Sequence, residues 1–146
     1  MLEFYKQKLQ LVKNGSTVYS MESLSCSNDV VEFINKIERF DLSPTKKLIV
    51  IGLNCKNKPL MYTEVASGGP RHFDLLVADI FKPLLLSNSE KFIVVYNNTS
   101  GSTDITNDDK TFCTRVNDAA KLIGIEFIDH IIIADNVFVS VKKDLE

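Results

Sequence analysis

The residues best placed to do chemistry lie in one stretch of the chain, VVYNNTSGSTDITNDD at positions 94–109. It reads as the end of a buried strand, a polar turn around Ser100 and Gly101, and the start of a helix. Strand-to-helix loops of this kind commonly carry the functional groups of α/β proteins. The amides and hydroxyls of the turn, next to a helix N-terminus, predict a site for an anion or a peptide terminus. The alternative is a solvated loop without a ligand.

A helix-capping pattern closes this stretch. Thr106 is followed three residues later by Asp109, the spacing at which two side chains cap each other's backbone N–H groups. We therefore expect both residues to stabilise the first turn of the helix that follows the loop.

The elements that must position this loop are apolar strands alternating with helices. KLIVIGLN and KFIVVY are short continuous apolar runs, typical of strands buried on both faces, and KFIVVY leads into the loop. The other predicted strands are a half-exposed YKQKLQLV, the hairpin partner PLMYTEVAS, and the closing hairpin of EFIDHIII and VFVSV.

Three helices complete the pattern. SNDVVEFINKIERF predicts a first helix that ends before Pro44, and HFDLLVADIFKPLLLSN predicts a second that is apolar almost all round and deeply packed. Pro83 should kink the second helix or split off its last turn. The third follows the loop and ends at Gly124, with a predicted buried stripe of Phe112, Val116, Ala119, Ala120 and Ile123. Strands interleaved with helices imply a central sheet with helices on its faces.

Composition narrows the class of protein. The 146 residues, 45% of them hydrophobic, suit a single domain spanning 1–146. No run of 18 apolar residues occurs and the opening MLEFYKQKLQ is too charged for a signal peptide, so we expect a soluble cytoplasmic protein without a membrane partner. A net charge of −2 argues against a nucleic-acid partner. Three widely spaced cysteines indicate reduced thiols rather than a disulfide framework.

Several pieces of the chain resemble the RadC-type JAB/MPN (JAMM-type) domain family in order and spacing. The pieces are TEVASGG, Ser100-Gly101, Asp109, AAKLIGI and IDHIII. The resemblance covers roughly residues 5–142, and it implies a three-layer α-β-α domain, similar to cytidine deaminases, with a mixed, mostly antiparallel curved sheet. Longer relatives carry an N-terminal helix-hairpin-helix region, which we do not expect in this chain.

The chemistry that the resemblance implies is that of a zinc hydrolase, in which two His and one Asp hold the metal and an upstream Glu activates the bound water. The two His positions correspond to Tyr96 and Asn98, the Asp to Asp109, and the Glu to Glu64. A phenol with a pKa of about 10 is a poor zinc ligand and an amide oxygen is a weak one. Thr99 stands at the family's Pro position and Thr106 at its Ser position.

We therefore predict a family member without zinc or any other cofactor, catalytically inactive, that binds or scaffolds a protein or peptide. Asn97, Thr99, Ser100 and Gly101 would form its binding loop. Glu64 would be a vestigial base or simply an exposed strand carboxylate. The oligomeric state stays open.

Two other functions are kept as alternatives. The first is an active metal-dependent hydrolase or peptidase, with Asp109 and non-standard ligands drawn from Cys113, His72 or His130. Against this, Cys113 is expected to be a small core residue, His72 a surface or helix-capping residue, and Asp129 with His130 a buried hydrogen-bonded pair of structural role. The second alternative is a DNA-repair-associated accessory protein.

Overall fold

The computed structural model describes residues 3, 23–38, 40, 45–68, 77–135 and 137–145. The predicted strand YKQKLQLV and His72 lie outside these ranges. Within them the chain forms four helices and five strands: α1 (Ser27–Ile37), β1 (Lys46–Leu53), β2 (Pro59–Gly68), α2 (Val77–Leu86), β3 (Lys91–Asn97), α3 (Asn107–Ile123), β4 (Glu126–Ala134), β5 (Val137–Ser140) and α4 (Val141–Leu145). No described helix is long and apolar enough to cross a membrane.

The five strands form one sheet in the order β2-β1-β3-β4-β5. The pairs β1–β2, β1–β3 and β4–β5 are antiparallel, whereas β3 and β4 are parallel and are joined by α3 as the crossover helix. The expected mixed, mostly antiparallel sheet is confirmed. The parallel pair matters for the site, because it places the carboxyl ends of β3 and β4 side by side at one end of the sheet.

Helices cover both faces of this sheet. One face packs against Val30, Phe33 and Ile34 of α1. The other packs against α2, α3 and α4, through buried residues that include Ile80, Phe81, Leu84, Cys113, Val116, Ala120 and Val141. The continuous apolar runs of β1, β3 and β4 follow from this arrangement, since every side chain of a central strand meets one helical layer or the other. The three-layer α-β-α architecture is confirmed.

Three expectations about the helices need correction, the one for Pro83 only in its second alternative. Pro83 does not split α2, which runs on to Leu86, and the Pro83 carbonyl accepts a hydrogen bond from the Ser87 N–H at 3.0 Å. The same helix is not deeply packed all round, because Leu85 and Leu86 are exposed. Ile123 is also exposed rather than part of the α3 stripe.

The closing hairpin is confirmed, with one addition. Ala134 pairs with Val137 across its turn. Val141, predicted as the last residue of the strand VFVSV, instead begins α4 and is fully buried. The change from alternating to helical geometry brings Val141 into the same core as α3.

Candidate functional site

Tyr96 and Asp109, two of the positions at which the family resemblance implies metal ligands, contact each other directly. Tyr96 lies near the carboxyl end of β3, points toward the α3 side of the sheet and is only 5% exposed. Its hydroxyl donates a hydrogen bond to Asp109 Oδ1 at 2.5 Å. Asp109 reaches this position because it lies in the first turn of α3, the helix that begins where the loop ends.

The second carboxylate oxygen of Asp109 belongs to the helix cap. Asp109 Oδ2 accepts a hydrogen bond from the Thr106 backbone N–H at 2.9 Å, and Thr106 Oγ1 accepts one from the Asp109 N–H at 3.1 Å. The predicted capping box is confirmed. Asp109 therefore has one oxygen bonded to a phenol and the other to the backbone.

Burial and these hydrogen bonds determine the protonation states of Tyr96 and Asp109. Burial raises the pKa of Tyr96 above its ordinary value, and the hydrogen bond to the Asp109 carboxylate raises it further. Burial also raises the pKa of Asp109, but the hydrogen bonds from Tyr96 and Thr106 outweigh it and hold that pKa below its usual range. At neutral pH the contact is thus a protonated phenol donating to an ionised carboxylate.

A cation completes the charge balance around Tyr96. Lys46, the first residue of β1, places its Nζ 4.4 Å from the centroid of the Tyr96 ring, a distance suited to a cation–π contact. Burial lowers the pKa of Lys46, and the Asp109 carboxylate partly opposes that shift. No sequence pattern indicates this role, since Lys46 stands at a strand end where any polar residue fits.

His130 lies on the same side of the sheet and is fully buried. Its ring is 5.2 Å from the Tyr96 ring and 5.3 Å from the Phe112 ring, between centroids. Neither ring nitrogen has a hydrogen-bond partner among the described residues. Burial lowers the pKa of His130 to about 4, with Asp109 opposing and Lys46 assisting the shift. The imidazole is therefore neutral at neutral pH.

Asp129 and His130 are both buried and hydrogen-bonded to each other, as predicted, but the bond involves the His130 backbone and not its imidazole. Asp129 Oδ1 accepts hydrogen bonds from the His130 backbone N–H at 2.8 Å and from Ser140 Oγ at 2.6 Å. The Asp129 carboxylate thus ties β4 to β5, whereas the imidazole packs beside Tyr96. The two residues are structural, but they act separately.

Asn98, at the other position where the family resemblance implies a His, organises the loop between β3 and α3. Its Oδ1 accepts hydrogen bonds from the Ser100 hydroxyl at 2.9 Å and the Ser100 N–H at 3.3 Å, and its Nδ2 donates to the Ser102 carbonyl at 2.7 Å. Gly101 adopts a φ of 79° and donates its N–H to the Asn98 carbonyl at 3.3 Å. That positive φ explains the glycine. Thr99 and Ser100 are exposed at the tip of the loop.

Asn97, assigned to the binding loop from the sequence, is instead buried and bonded internally. Its Oδ1 accepts the Lys47 N–H at 2.6 Å and its Nδ2 donates to the Thr45 carbonyl at 3.0 Å. Its amide holds the start of β1 against the end of β3. The exposed surface of the loop begins after Asn97.

Glu64 is not brought to this site. It pairs across the sheet with Ile49, whose side chain packs in the core on the α1 side, and paired residues of antiparallel strands share a face. Its carboxylate lies 4.0 Å from Lys47 Nζ, which is also 3.8 Å from Glu38 just after α1. The sheet therefore separates Glu64 from Tyr96 and Asp109.

The other candidate ligands do not complete a metal set. Cys113 lies one turn after Asp109 and is buried, and burial raises the pKa of its thiol to about 11. Among residues of the described ranges, no group of three or more His, Cys, Asp and Glu side chains could hold a metal ion.

The exposed surface around the loop is acidic. Asp104 lies in the loop, Asp108 in the first turn of α3, and Asp135 in the turn after β4 next to Gly101. Carboxylates in the first turn of a helix already complement the positive end of its dipole. They also repel other anions, which opposes the anion-binding role predicted for this loop.

Comparison with known proteins identifies a family model and several relatives with similar sequences. The sequence model of the RadC-like JAB domain matches residues 24–145. A UPF0758 protein of Clostridium perfringens is 30% identical over 120 residues, covering 82% of this chain and 52% of the relative. One of Clostridium tetani is 30% identical over 135 residues, covering 92% and 59%. The chain spans about half the length of the curated relatives it matches.

Proposed function

The chain belongs to the RadC-like JAB domain family, and we propose that it is a member whose zinc pocket has been replaced by a tyrosine–aspartate contact, leaving a catalytically inactive module that binds a protein or peptide. The observation that carries this proposal is the hydrogen bond from the Tyr96 hydroxyl to Asp109 Oδ1.

The donor set does not fit a zinc ion. Zinc in proteins takes thiolate, imidazole and carboxylate ligands with free lone pairs. Both oxygens of Asp109 already accept hydrogen bonds, from Tyr96 and from the backbone of Thr106. The Tyr96 phenol keeps its proton, because burial and the carboxylate raise its pKa. The amide oxygen of Asn98 accepts two hydrogen bonds from Ser100.

Among the described residues, neither Glu64 nor His130 is positioned to act as a base for hydrolysis at this site. A general base must lie within hydrogen-bond reach of the water it activates, either directly or through one further water. Glu64, the position that the family resemblance assigns to this role, lies on the α1 side of the sheet with Lys47. His130 is neutral but buried behind aromatic rings.

Two features support a role in binding. β2 is the longer of the two edge strands of the described sheet, with ten residues, which suits an extended peptide added alongside it. The loop that follows β3 is held in one conformation by Asn98 and presents Thr99 and Ser100 among exposed carboxylates. We propose that the partner segment is uncharged or basic, since the loop surface is acidic.

The free cysteines fit a cytoplasmic location, which we also propose. Cys26, Cys55 and Cys113 are all unpaired, and unpaired thiols persist in reducing compartments.

A mixed peptide library incubated with the protein and added zinc chloride tests the proposed function. We expect saturable binding of a subset of peptides, with amide NMR shifts in β2 and residues 98–102, and no cleavage products by mass spectrometry. The control is Glu64→Gln, which should bind the same peptides. Cleavage that the Glu64→Gln variant loses would contradict the proposal and establish the hydrolase alternative. If no peptide binds and a parallel titration with duplex DNA shows salt-sensitive binding, the result would instead favour the accessory role in repair.

A further inference from the structure

A groove of about 520 Å³ lies at the end of the sheet opposite the Asn98 loop. Its floor is the turn that enters β3, and its walls are the ends of α2 and α3. It is lined by Leu84, Leu85, Asn88, Ser89, Glu90, Lys91, Gly124, Ile125 and Glu126. The whole length of β3 separates it from Tyr96, so it is independent of the site described above.

Exposed apolar side chains lie at the ends of the two helices that border this groove. Leu85 and Leu86 end α2, and Leu122 and Ile123 end α3, with exposed fractions of 58%, 44%, 89% and 44%. We call these four residues the leucine face. Exposed leucines scattered singly are ordinary, but a cluster beside a groove is typical of an interaction site.

Leu122, the most exposed residue of the leucine face, does not take part in the packing of the core. Val116 and Ala120 direct α3 onto the sheet, and Leu122 follows Ala120 by about 200° around the helix. It therefore points away from the core that Val116 and Ala120 enter. Gly124 then ends the helix with a φ of 91°, so the last turn projects beyond the sheet.

We propose that the leucine face and its groove form the contact of a homodimer with two-fold symmetry. In such a contact the same patch serves both copies, so it must complement itself. The patch offers a projecting side chain, Leu122, near a groove. A two-fold axis that relates the two copies would let each copy insert its Leu122 into the groove of the other.

The charges around the groove fit a second copy of this chain better than a partner of one dominant charge. Glu90, Glu126 and Lys91 line the groove, and Lys121 precedes Leu122 in the last turn of α3. Lys91 Nζ lies 3.6 Å from the Glu126 carboxylate, and the Glu126 side chain, which is 64% exposed, can also contact a cation of another molecule. Mixed signs on one face are self-complementary in an isologous contact, whereas a strongly acidic or basic partner would meet repulsion from half of them.

Sedimentation velocity between about 10 μM and about 1 mM, the range that covers weak dimers, tests this proposal. We expect a monomer–dimer equilibrium for the native chain and at least about tenfold weaker association for Leu122→Glu, which buries a charge at the contact. The substitution should leave the fold intact because Leu122 is 89% exposed. The matched control is Leu145→Glu in α4, where the replaced leucine is 43% exposed and outside the groove.

The face itself is located by amide NMR. Shifts that depend on protein concentration should be confined to residues 84–91 and 121–126 and should vanish in Leu122→Glu. A native chain that stays monomeric at every concentration would overturn the proposal, and so would a dimer that Leu122→Glu leaves unchanged. Because the groove lies far from Tyr96, neither result alters the test of the binding function.

Discussion

Replacing Tyr96 and Asn98 together by histidine is expected to give the chain a three-ligand zinc site at the start of α3. The double variant would supply two imidazoles and the Asp109 carboxylate, the ligand set that the family resemblance implies for this loop. Removing the phenol also releases Asp109 Oδ1 from its hydrogen bond. We expect about one zinc per chain, bound at least about 100-fold more tightly than by the native chain, measured by calorimetric titration.

The matched control is the triple variant that adds Asp109→Ala to the two histidines. It should lose the zinc while keeping both imidazoles, which separates a three-ligand site from adventitious binding by histidine. Glu64 lies on the opposite face of the sheet from the two histidines and Asp109. We therefore expect no hydrolysis of peptides by the double variant. A folded double variant without zinc affinity would show that the loop has not kept the geometry of a metal site.

The second large effect is an acid-induced loss of stability caused by His130. The fold lowers the pKa of the buried imidazole from 6.5 to about 4. Between these values the unfolded chain binds a proton at this residue and the folded chain does not, so stability is complete above pH 6.5 and falls as the pH drops toward 4. The expected loss is roughly 3 kcal/mol in the free energy of unfolding, measured by urea denaturation across this range.

A His130→Leu variant serves as the control for this loss. Leucine keeps an apolar side chain beside the rings of Tyr96 and Phe112 and carries no titrating group, so most of the slope between pH 6.5 and 4 should disappear. Asp109 does not contribute to the same window, because its pKa lies below 3.8 and its stabilisation is lost only at more acidic pH. An unchanged slope in His130→Leu would assign the effect to other groups.

Much of the fold could be predicted because the signals are local. The apolar runs of β1 and β3, the capping box of Thr106 and Asp109, and the αL glycine at position 124 all depend on residues within one turn or strand. Each was found where the sequence predicted it. The direct contact of Tyr96 with Asp109 was not predicted, although both positions were identified, because a sequence gives spacing and not the distance between side chains.

The position of Glu64 shows why the rest of the site was harder to predict. Leu48 pairs with Ala66 but Ile49 pairs with Glu64, so β2 has one extra residue, Val65, at this point. Without that bulge, Glu64 would pair with Val50, whose side chain lies on the same side of the sheet as Tyr96. A single-residue shift turns a side chain to the opposite face. Nothing in the letters TEVASGG marks the bulge.

The position of the His130 imidazole could not be predicted for a related reason. The adjacent letters of Asp129 and His130 correctly suggested a hydrogen-bonded pair, but consecutive residues of a strand ordinarily point to opposite faces, so the bond is made by the His130 backbone N–H and the imidazole lies apart from Asp129. The parallel pairing of β3 with β4 puts His130 opposite Val94, on the face that also carries Tyr96. That register depends on a non-local contact across α3, which the local pattern of β4 does not contain.

The most direct test of the central claim is the metal content of the native protein, purified without chelator or metal affinity resin and measured by elemental analysis before and after zinc addition and dialysis. The hydrogen bond between Tyr96 and Asp109 predicts far less than one zinc per chain in both samples, with no change in Asp109→Ala. One zinc per chain that survives dialysis and is lost in Asp109→Ala would contradict the account and make this chain a metalloprotein with an unconventional ligand set.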